Sequence, residues 1–189
     1  DIGLDSGPSL RNFLAGPNLA ALEHLVLWSG YDKRSPVPTY LWGESGSGKS
    51  HLLRAVFAQL KEQGSPVGWL DASIAEPQAF QENWRVVLLD DVHLYTAVQQ
   101  QAAFNWFVNA TSPQDGQQRW VLASSKVPPS DLQLREDLRT RLGWGHIFHL
   151  HVLSDSERRS VLRQNADERG IFLSDEVMDF ILNRFSRDL

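Results

Sequence analysis

Short apolar runs alternate with longer amphipathic stretches along most of this chain. The first run is residues 39–42 (TYLW). A glycine-rich turn follows it, then a helical pattern over 48–63 that Gly64-Ser65-Pro66 stops. Residues 67–70 read as a second strand. Residues 86–89 (VVLL) are apolar without alternation and bounded by Arg85 and Asp90, the pattern of a strand buried on both faces. A helix is predicted over 97–110, a strand over 120–123, a short helix over 134–142 and a last strand over 147–150. Upstream, Asn18 is placed to cap a helix over 18–28, with Leu19, Leu22, Leu25 and Val26 on its apolar side, and residues 30–37 read as a loop. After Ser154 the pattern is helical only, over 154–169 and 174–185, and Ser154-x-x-Glu157 has the spacing of a capping box.

Strands alternating with helices over 38–150 predict an α/β fold, a parallel sheet with helices on both faces. The expected division is an extended arm over 1–17, an α/β domain over 18–152, and the beginning of a small all-helical domain over 153–189. The stretch 71–84 between the second and third strands is short and polar. Six of the seven tryptophans (Trp28, Trp42, Trp69, Trp84, Trp106 and Trp120) are expected in the core rather than at an interface. The chain starts at Asp1 without methionine and stops at Leu189 inside a helical pattern, which reads as a trimmed piece.

Composition narrows the classes. With 189 residues, 42% hydrophobic and 22% charged, the chain is long and apolar enough to bury a core without staples. It has no cysteine, which excludes disulfides, thiolate metal sites and cysteine nucleophiles and fits a reducing compartment. The formal charge of −5 disfavours broad nucleic-acid binding. Basic charge is skewed to arginine, 14 against 4 lysines, which suits bidentate contacts to phosphates and carboxylates. No apolar run approaches the ~20 residues of a membrane span.

The strongest chemical signal is Gly43-Glu44-Ser45-Gly46-Ser47-Gly48-Lys49-Ser50, which fits G-x-x-x-x-G-K-[ST] between a predicted strand and a predicted helix. Glycines let successive backbone N–H groups curl around a polyphosphate, and the helix N-terminus adds partial positive charge. Lys49 is placed for the outer phosphates and the Ser50 hydroxyl for Mg²⁺. Forty residues on, the 86–89 run ends in Asp90-Asp91. Asp90 is the candidate to hold Mg²⁺ and Asp91 to polarise the attacking water. Ser124 and Ser125 end the next run and read either as a phosphate-sensing pair or as a loop entry. Arg141 is either a helix-end cation complementing the macrodipole or an arginine finger aimed at a neighbour's phosphates, and composition does not decide. On its own Arg187 is a surface arginine. His149-x-His151 is the closest approach to metal-ligand spacing, and no Ser/His/Asp arrangement is visible.

The order of these motifs resembles the AAA+ ATPases of the bacterial replication-initiator (DnaA) group. The resemblance is carried by Asn12-Phe13-Leu14-Ala15-Gly16-Pro17-Asn18, by Gly48-Lys49-Ser50-His51-Leu52-Leu53 and by Arg141-Leu142-Gly143-Trp144-Gly145, and covers the chain from about Phe13 onward. It implies a five-stranded parallel sheet followed by a helical lid, and ADP or ATP with Mg²⁺ as cofactors. It places Gly43 to Ser50, His51, Phe13, Asn18, Ser124 and Arg187 at the nucleotide, Arg187 as the second sensor on the lid, and Arg141 as the arginine finger. Within the group the chain is most similar to the regulatory inactivators of the initiator, because 71–85 is short and the net charge is negative. The activity implied is negative regulation of replication initiation: hydrolysis of initiator-bound ATP, promoted together with the sliding clamp. The group's clamp-binding motif, a Gln followed by leucines at the extreme N-terminus, is not seen in this chain. A cytoplasmic location, self-association and no strong direct nucleic-acid binding are further expectations. Asp-Asp where many AAA+ ATPases have Asp-Glu implies at most weak intrinsic hydrolysis. The alternative is a DNA-acting AAA+ protein, an initiator paralogue or a helicase loader.

Overall fold

The apolar runs become strands that share one sheet. The computed structural model describes residues 8–30 and 34–185. In chain order these form α1 (Leu19–Gly30), β1 (Thr39–Trp42), α2 (Lys49–Glu62), β2 (Val67–Leu70), β3 (Val86–Leu89), α3 (Ala97–Thr111), β4 (Trp120–Ser125), α4 (Glu136–Leu142), β5 (His146–His149), α5 (Asp155–Glu168) and α6 (Asp175–Phe185). Single 3₁₀ turns lie at Gly16–Asn18, Val92–Leu94 and Pro129–Asp131. Residues 1–7 of the expected arm, 31–33 of the expected loop and Arg187 fall outside the described residues.

All strand pairings are parallel, in the order β2-β3-β4-β1-β5. β1 therefore sits between β4 and β5 although the chain leaves it for β2 at the far edge. The crevice at such a switch point, above the strands' carboxyl ends, is where open parallel sheets hold ligands. Unalternating runs are explained by burial on both faces. Leu41, Val86, Leu88 and Leu122 pack against α1 and α2 through Leu25, Leu52, Leu53, Val56 and Leu60. Tyr40, Val87, Leu89, Val121 and Ala123 pack on the other side against α3 and α4 through Trp106, Phe107, Leu138 and Leu142.

Four expectations shift. β4 continues through Ser124 and Ser125, which are fully buried and pair with Leu41 and Trp42. Their polarity marks a strand end in sequence, but Ser124 Oγ donates to Asp90 and Ser125 Oγ accepts the N–H of Val127, so burial leaves both hydroxyls satisfied. The last strand starts one residue early, at His146. It is an edge strand, mostly exposed, with β1 as its one neighbour, so no apolar run defines it. α1 buries only part of the expected face: Leu25 is buried and Leu22 packs on the core, but Leu19 and Val26 are exposed, while Ala21, Trp28 and Ser29 are buried as well. A helix apolar on almost every side gives periodicity little to choose between. Finally, α4 begins at Glu136 rather than 134, after Leu134 has packed onto the core as loop. Of the six tryptophans, Trp28, Trp84, Trp106 and Trp120 are buried and Trp42 and Trp69 half-buried.

Residues 71–85 carry no helix or strand, so their backbone polar groups need other partners. Three buried side chains supply them. Gln99 Nε2 donates to Ala72 O and Ile74 O, at 3.1 and 2.9 Å. Trp106 Nε1 donates to Gln78 O at 3.1 Å. Arg119, 3% exposed, donates to Trp84 O (2.9 Å) and Glu82 O (2.6 Å) while pairing with Asp115 at 2.6 Å. Past β5, α5 opens on the capping box read from the sequence, Ser154 with Glu157, and α5 and α6 are linked by Arg163–Asp175 at 3.2 Å.

Arg119→Ala removes a buried guanidinium and leaves two carbonyls unpaired, and is expected to lower the unfolding free energy by about 3 kcal/mol. Urea denaturation measures this; a midpoint equal to the parent's would show that the loop does not depend on this clamp.

Candidate functional site

The turn from β1 into α2 folds as it does because two glycines leave no room for a side chain. A Cβ on Gly43 would lie 2.3 Å from Leu150 O and 2.9 Å from Ser47 Oγ. Gly48 has φ +94°, and a Cβ there would meet the Phe13 ring at 2.5 Å. Gly43 N–H donates to Ser125 O (3.1 Å) and Ser47 N–H to Glu44 O (3.1 Å), closing the loop over the sheet. Glu44, Ser45 and Gly46 form its exposed crest. Lys49 opens α2 with the side chain turned back: Nζ donates to Gly43 O at 2.6 Å and to Glu44 O at 2.9 Å. Its burial pulls the ammonium pKa down, against the pull of Asp91 and Asp90. An ammonium bonded only to carbonyls, at the N-terminus of a 14-residue helix with orphan N–H groups, is a donor set that suits a polyanion. Ser47 Oγ is buried and has no hydrogen-bond partner among the described residues.

Acidic groups close the other side. Asp90 is 4% exposed, just past β3, and its N–H donates to Leu70 O at 2.8 Å. Its carboxylate accepts from Ser124 Oγ (2.6 Å) and from Ser50 Oγ (3.0 Å to Oδ2), so β3, β4 and α2 meet at this carboxylate. Ser124 Oγ in turn accepts the N–H of Asp91 at 2.9 Å. Asp91 has φ +49°, the one positive φ outside glycine among the described residues, and strain of this kind concentrates at functional sites. Burial first, and then the charge of Asp90, raise its carboxyl pKa above the ordinary range.

Between these groups lies a cleft of about 360 Å³. Ser45, Gly46, Gly48, Lys49, Ser50, His51 and Asp91 line it. His51 Nε2 bonds Ser9 O at 3.1 Å, which fixes the proton on Nε2, and its ring lies 5.6 Å from that of Phe13. Burial lowers its pKa. Pro8, Arg54, His93, Leu94 and Lys126 also line the cleft and were not singled out in the sequence. Lys126 directly follows the serine pair and His93 stands two residues after Asp91; that proximity is the one signal the sequence holds for them.

Two sequence candidates sit elsewhere. Asn18 is not a free cap: its buried amide donates to His151 O and accepts from His151 N–H, both at 2.8 Å, clipping the turn before α1 to the chain leaving β5. Arg141, in the last turn of α4, donates from Nη1 to Asp137 O (3.2 Å), and its guanidinium lies 5.0 Å from the Phe104 ring. It is not among the residues lining the cleft. Arg187 lies outside the described residues.

Comparison with known proteins gives two matches that tile the chain. Residues 8–149 match the family model of the bacterial DnaA ATPase domain, and residues 155–189 match that of the Hda lid domain. Among solved structures, a replication initiator DnaA bound to AMPPCP and single-stranded DNA superposes with a TM-score of 0.70 at 22% identity, over 96% of this chain and 61% of that one. AMPPCP-bound DnaA from Aquifex aeolicus gives 0.68 at 23%, over 95% and 61%. The Thermotoga maritima RuvB Holliday junction branch migration motor gives 0.55 at 16%, over 89% and 56%. The chain thus spans about three-fifths of the initiators' length, and at these identities the likeness is one of fold, AAA+.

Asn18→Ala breaks both bonds of the clip and is expected to cost about 2 kcal/mol, with faster hydrogen exchange at the His151 amide. Unchanged exchange there would sink the assignment.

Proposed function

The chain belongs to the bacterial DnaA ATPase-domain family, and from that membership we propose that it is an Hda-type regulatory inactivator, which binds ADP or ATP and drives hydrolysis of the ATP held by the replication initiator. The observation that carries this reading is a divided layout. The phosphate-suited loop and Asp91 share one cleft, with Asp90 buried beneath it on the Ser50 and Ser124 hydroxyls, while Arg141 stands on another element, outside that cleft. A guanidinium so placed is suited to phosphates held by a second molecule. The match of 155–189 to the Hda lid supports the inactivator over the initiator itself, as do the net charge of −5 and the absence of any helix in 71–85.

On this reading the loop from Gly43 to Ser50 holds the phosphates through backbone N–H groups and Lys49, which exchanges carbonyl partners for phosphate oxygens. Ser50 and Asp90 are the residues that hold Mg²⁺, and their direct hydrogen bond is the contact such an ion would replace. The bound nucleotide and ion supply the charge that this cleft is built to neutralise. Asp91 orients water, and Ser124, already bonded to both Asp90 and Asp91, keeps the pair in register. Phe13, whose ring lies against Gly48 and His51, is assigned to the base with His51. Asn18 supports them through its clip to His151, and Arg187 is assigned as the second sensor. In the initiator's site, water attacks the terminal phosphorus and the bond to the bridging oxygen breaks. Arg141 stabilises the charge that develops, an effect worth ~10³ or more for arginine fingers. The sliding clamp joins as a partner through a segment outside this chain, self-association is a further element of the reading, and the location is cytoplasmic. No helix among the described residues is long and apolar enough to cross a membrane.

Single-turnover hydrolysis of ATP pre-bound to initiator, with the full-length protein and clamp-loaded DNA, tests this. Arg141→Ala is expected to reduce the acceleration by ~10³-fold while leaving ADP affinity within about twofold. Lys49→Ala is expected to weaken ADP binding by at least ~100-fold, measured with a fluorescent analogue. No acceleration by the parent protein, together with salt-sensitive single-strand binding, would shift the assignment to a DNA-acting AAA+ protein.

A further inference from the structure

His93 belongs to the cleft but to none of the motifs above. It sits in the Val92–Leu94 turn directly after Asp91, whose left-handed backbone swings that turn across the top of the sheet. Its Nδ1 accepts the backbone N–H of Lys126 at 3.1 Å. A ring nitrogen that accepts must present a lone pair, so the neutral ring carries its proton on Nε2. The tautomer is therefore set by the fold, and His93 is a fixed donor among the residues lining the cleft. Burial lowers the ring's pKa, which keeps it neutral at pH 7; Asp91 pulls the other way.

The position of this donor differs from that of the phosphate loop. The loop and the first turn of α2 hold whatever phosphates any nucleotide brings. His93 instead lines the cleft from the loops that follow β3 and β4, with Asp91 and Lys126. On the reading above Asp91 orients water at the terminal phosphate, and His93, two residues on, lines the cleft with it, so the group it is placed to meet is the one that a triphosphate has and a diphosphate lacks.

We propose that His93 is a specificity-determining residue whose Nε2–H contacts the terminal phosphate of a nucleoside triphosphate, so that it contributes to triphosphate binding and not to diphosphate binding. The inference rests on the nucleotide-binding reading above. A neutral donor to a phosphate oxygen is worth ~10-fold in affinity or somewhat more. The Lys126 amide does double duty here, orienting the ring and tying the turn after Asp91 to the chain that leaves β4.

Two amide substitutions separate the functions of the ring. In His93→Asn, Oδ1 takes the place of Nδ1 and keeps the Lys126 N–H, but nothing donates where Nε2 stood. In His93→Gln, the amide nitrogen reaches the Nε2 position and the tie to Lys126 is given up. Affinities for ADP and for AMPPCP are measured with Mg²⁺ by competition against a fluorescent nucleotide, alongside thermal melting of each protein. The expected result is that His93→Asn loses about 10-fold in AMPPCP affinity, with ADP within about twofold, while His93→Gln keeps most of the parent's ratio. A His93→Asn ratio equal to the parent's, or equal losses for both nucleotides in either variant, would overturn the inference and leave His93 a loop tie. A parent protein that binds neither nucleotide would defeat the nucleotide-binding reading itself, and this inference with it.

Discussion

A carboxylate removed from water must be surrounded by donors or it destabilises the fold by several kcal/mol. Asp90 meets that constraint with the Ser124 and Ser50 hydroxyls, and its own N–H is taken by Leu70 O. Satisfying it positions nearly everything else. Ser124 must be carried to the end of β4, which extends that strand past its apolar run. Ser50 must point down from the first turn of α2, which sets how the phosphate-suited loop leaves β1. Asp91, next in the chain, is then forced over the top of the sheet and gives its N–H to Ser124. The strand order with β1 between β4 and β5 makes these contacts geometrically available.

Much of this architecture is legible in sequence, for a specific reason. Runs such as 86–89 are buried on both faces, so they are apolar at every position and bounded by charges. The turn at 43–50 is legible because the positive φ of Gly46 and Gly48 is a local requirement that glycine meets, even though the close approaches of Leu150 and Phe13 that also demand glycine are tertiary. What escapes is what tertiary contact decides. Ser124 and Ser125 look like loop because only the neighbouring strand and Asp90 make their burial tolerable. Asn18 has the composition of a cap, yet its partner His151 lies 133 residues away. His93 carries no spacing signature at all; the amide that orients it belongs to a residue 33 positions later. Only half of the apolar face expected of α1 is buried, Leu22 and Leu25 but not Leu19 and Val26, because apolar residues lie on most sides of that helix and periodicity does not single out Ala21 and Trp28.

Arg141 illustrates a limit of a different kind. The sequence places it at a helix end, and the structure keeps it there, donating to Asp137 O as a helix-end arginine would. Phe104 adds what the sequence did not show: a ring from α3 beneath the guanidinium, with Arg135 at 4.8 Å from the same ring. Aromatic support of this sort restrains a long side chain, and the nearby Asp137 carboxylate, itself paired with Arg135, offsets its charge only in part.

The three-residue turn Gly16–Asn18 touches both sides of the connection that leaves the sheet. Asn18 grips the backbone of His151, while a Cβ on Gly16 would fall 2.9 Å from Leu153 and 3.7 Å from Val161 of α5. A displacement of this turn is therefore felt at once by β5 and by the helical pair. Coupling between binding equilibria is reciprocal. To whatever degree a ligand beside Phe13 biases the tilt of α5 and α6, a protein that grasps those two helices alters the grip on the ligand by the same factor, and the short clip at Asn18 is the gear through which each would pay out to the other.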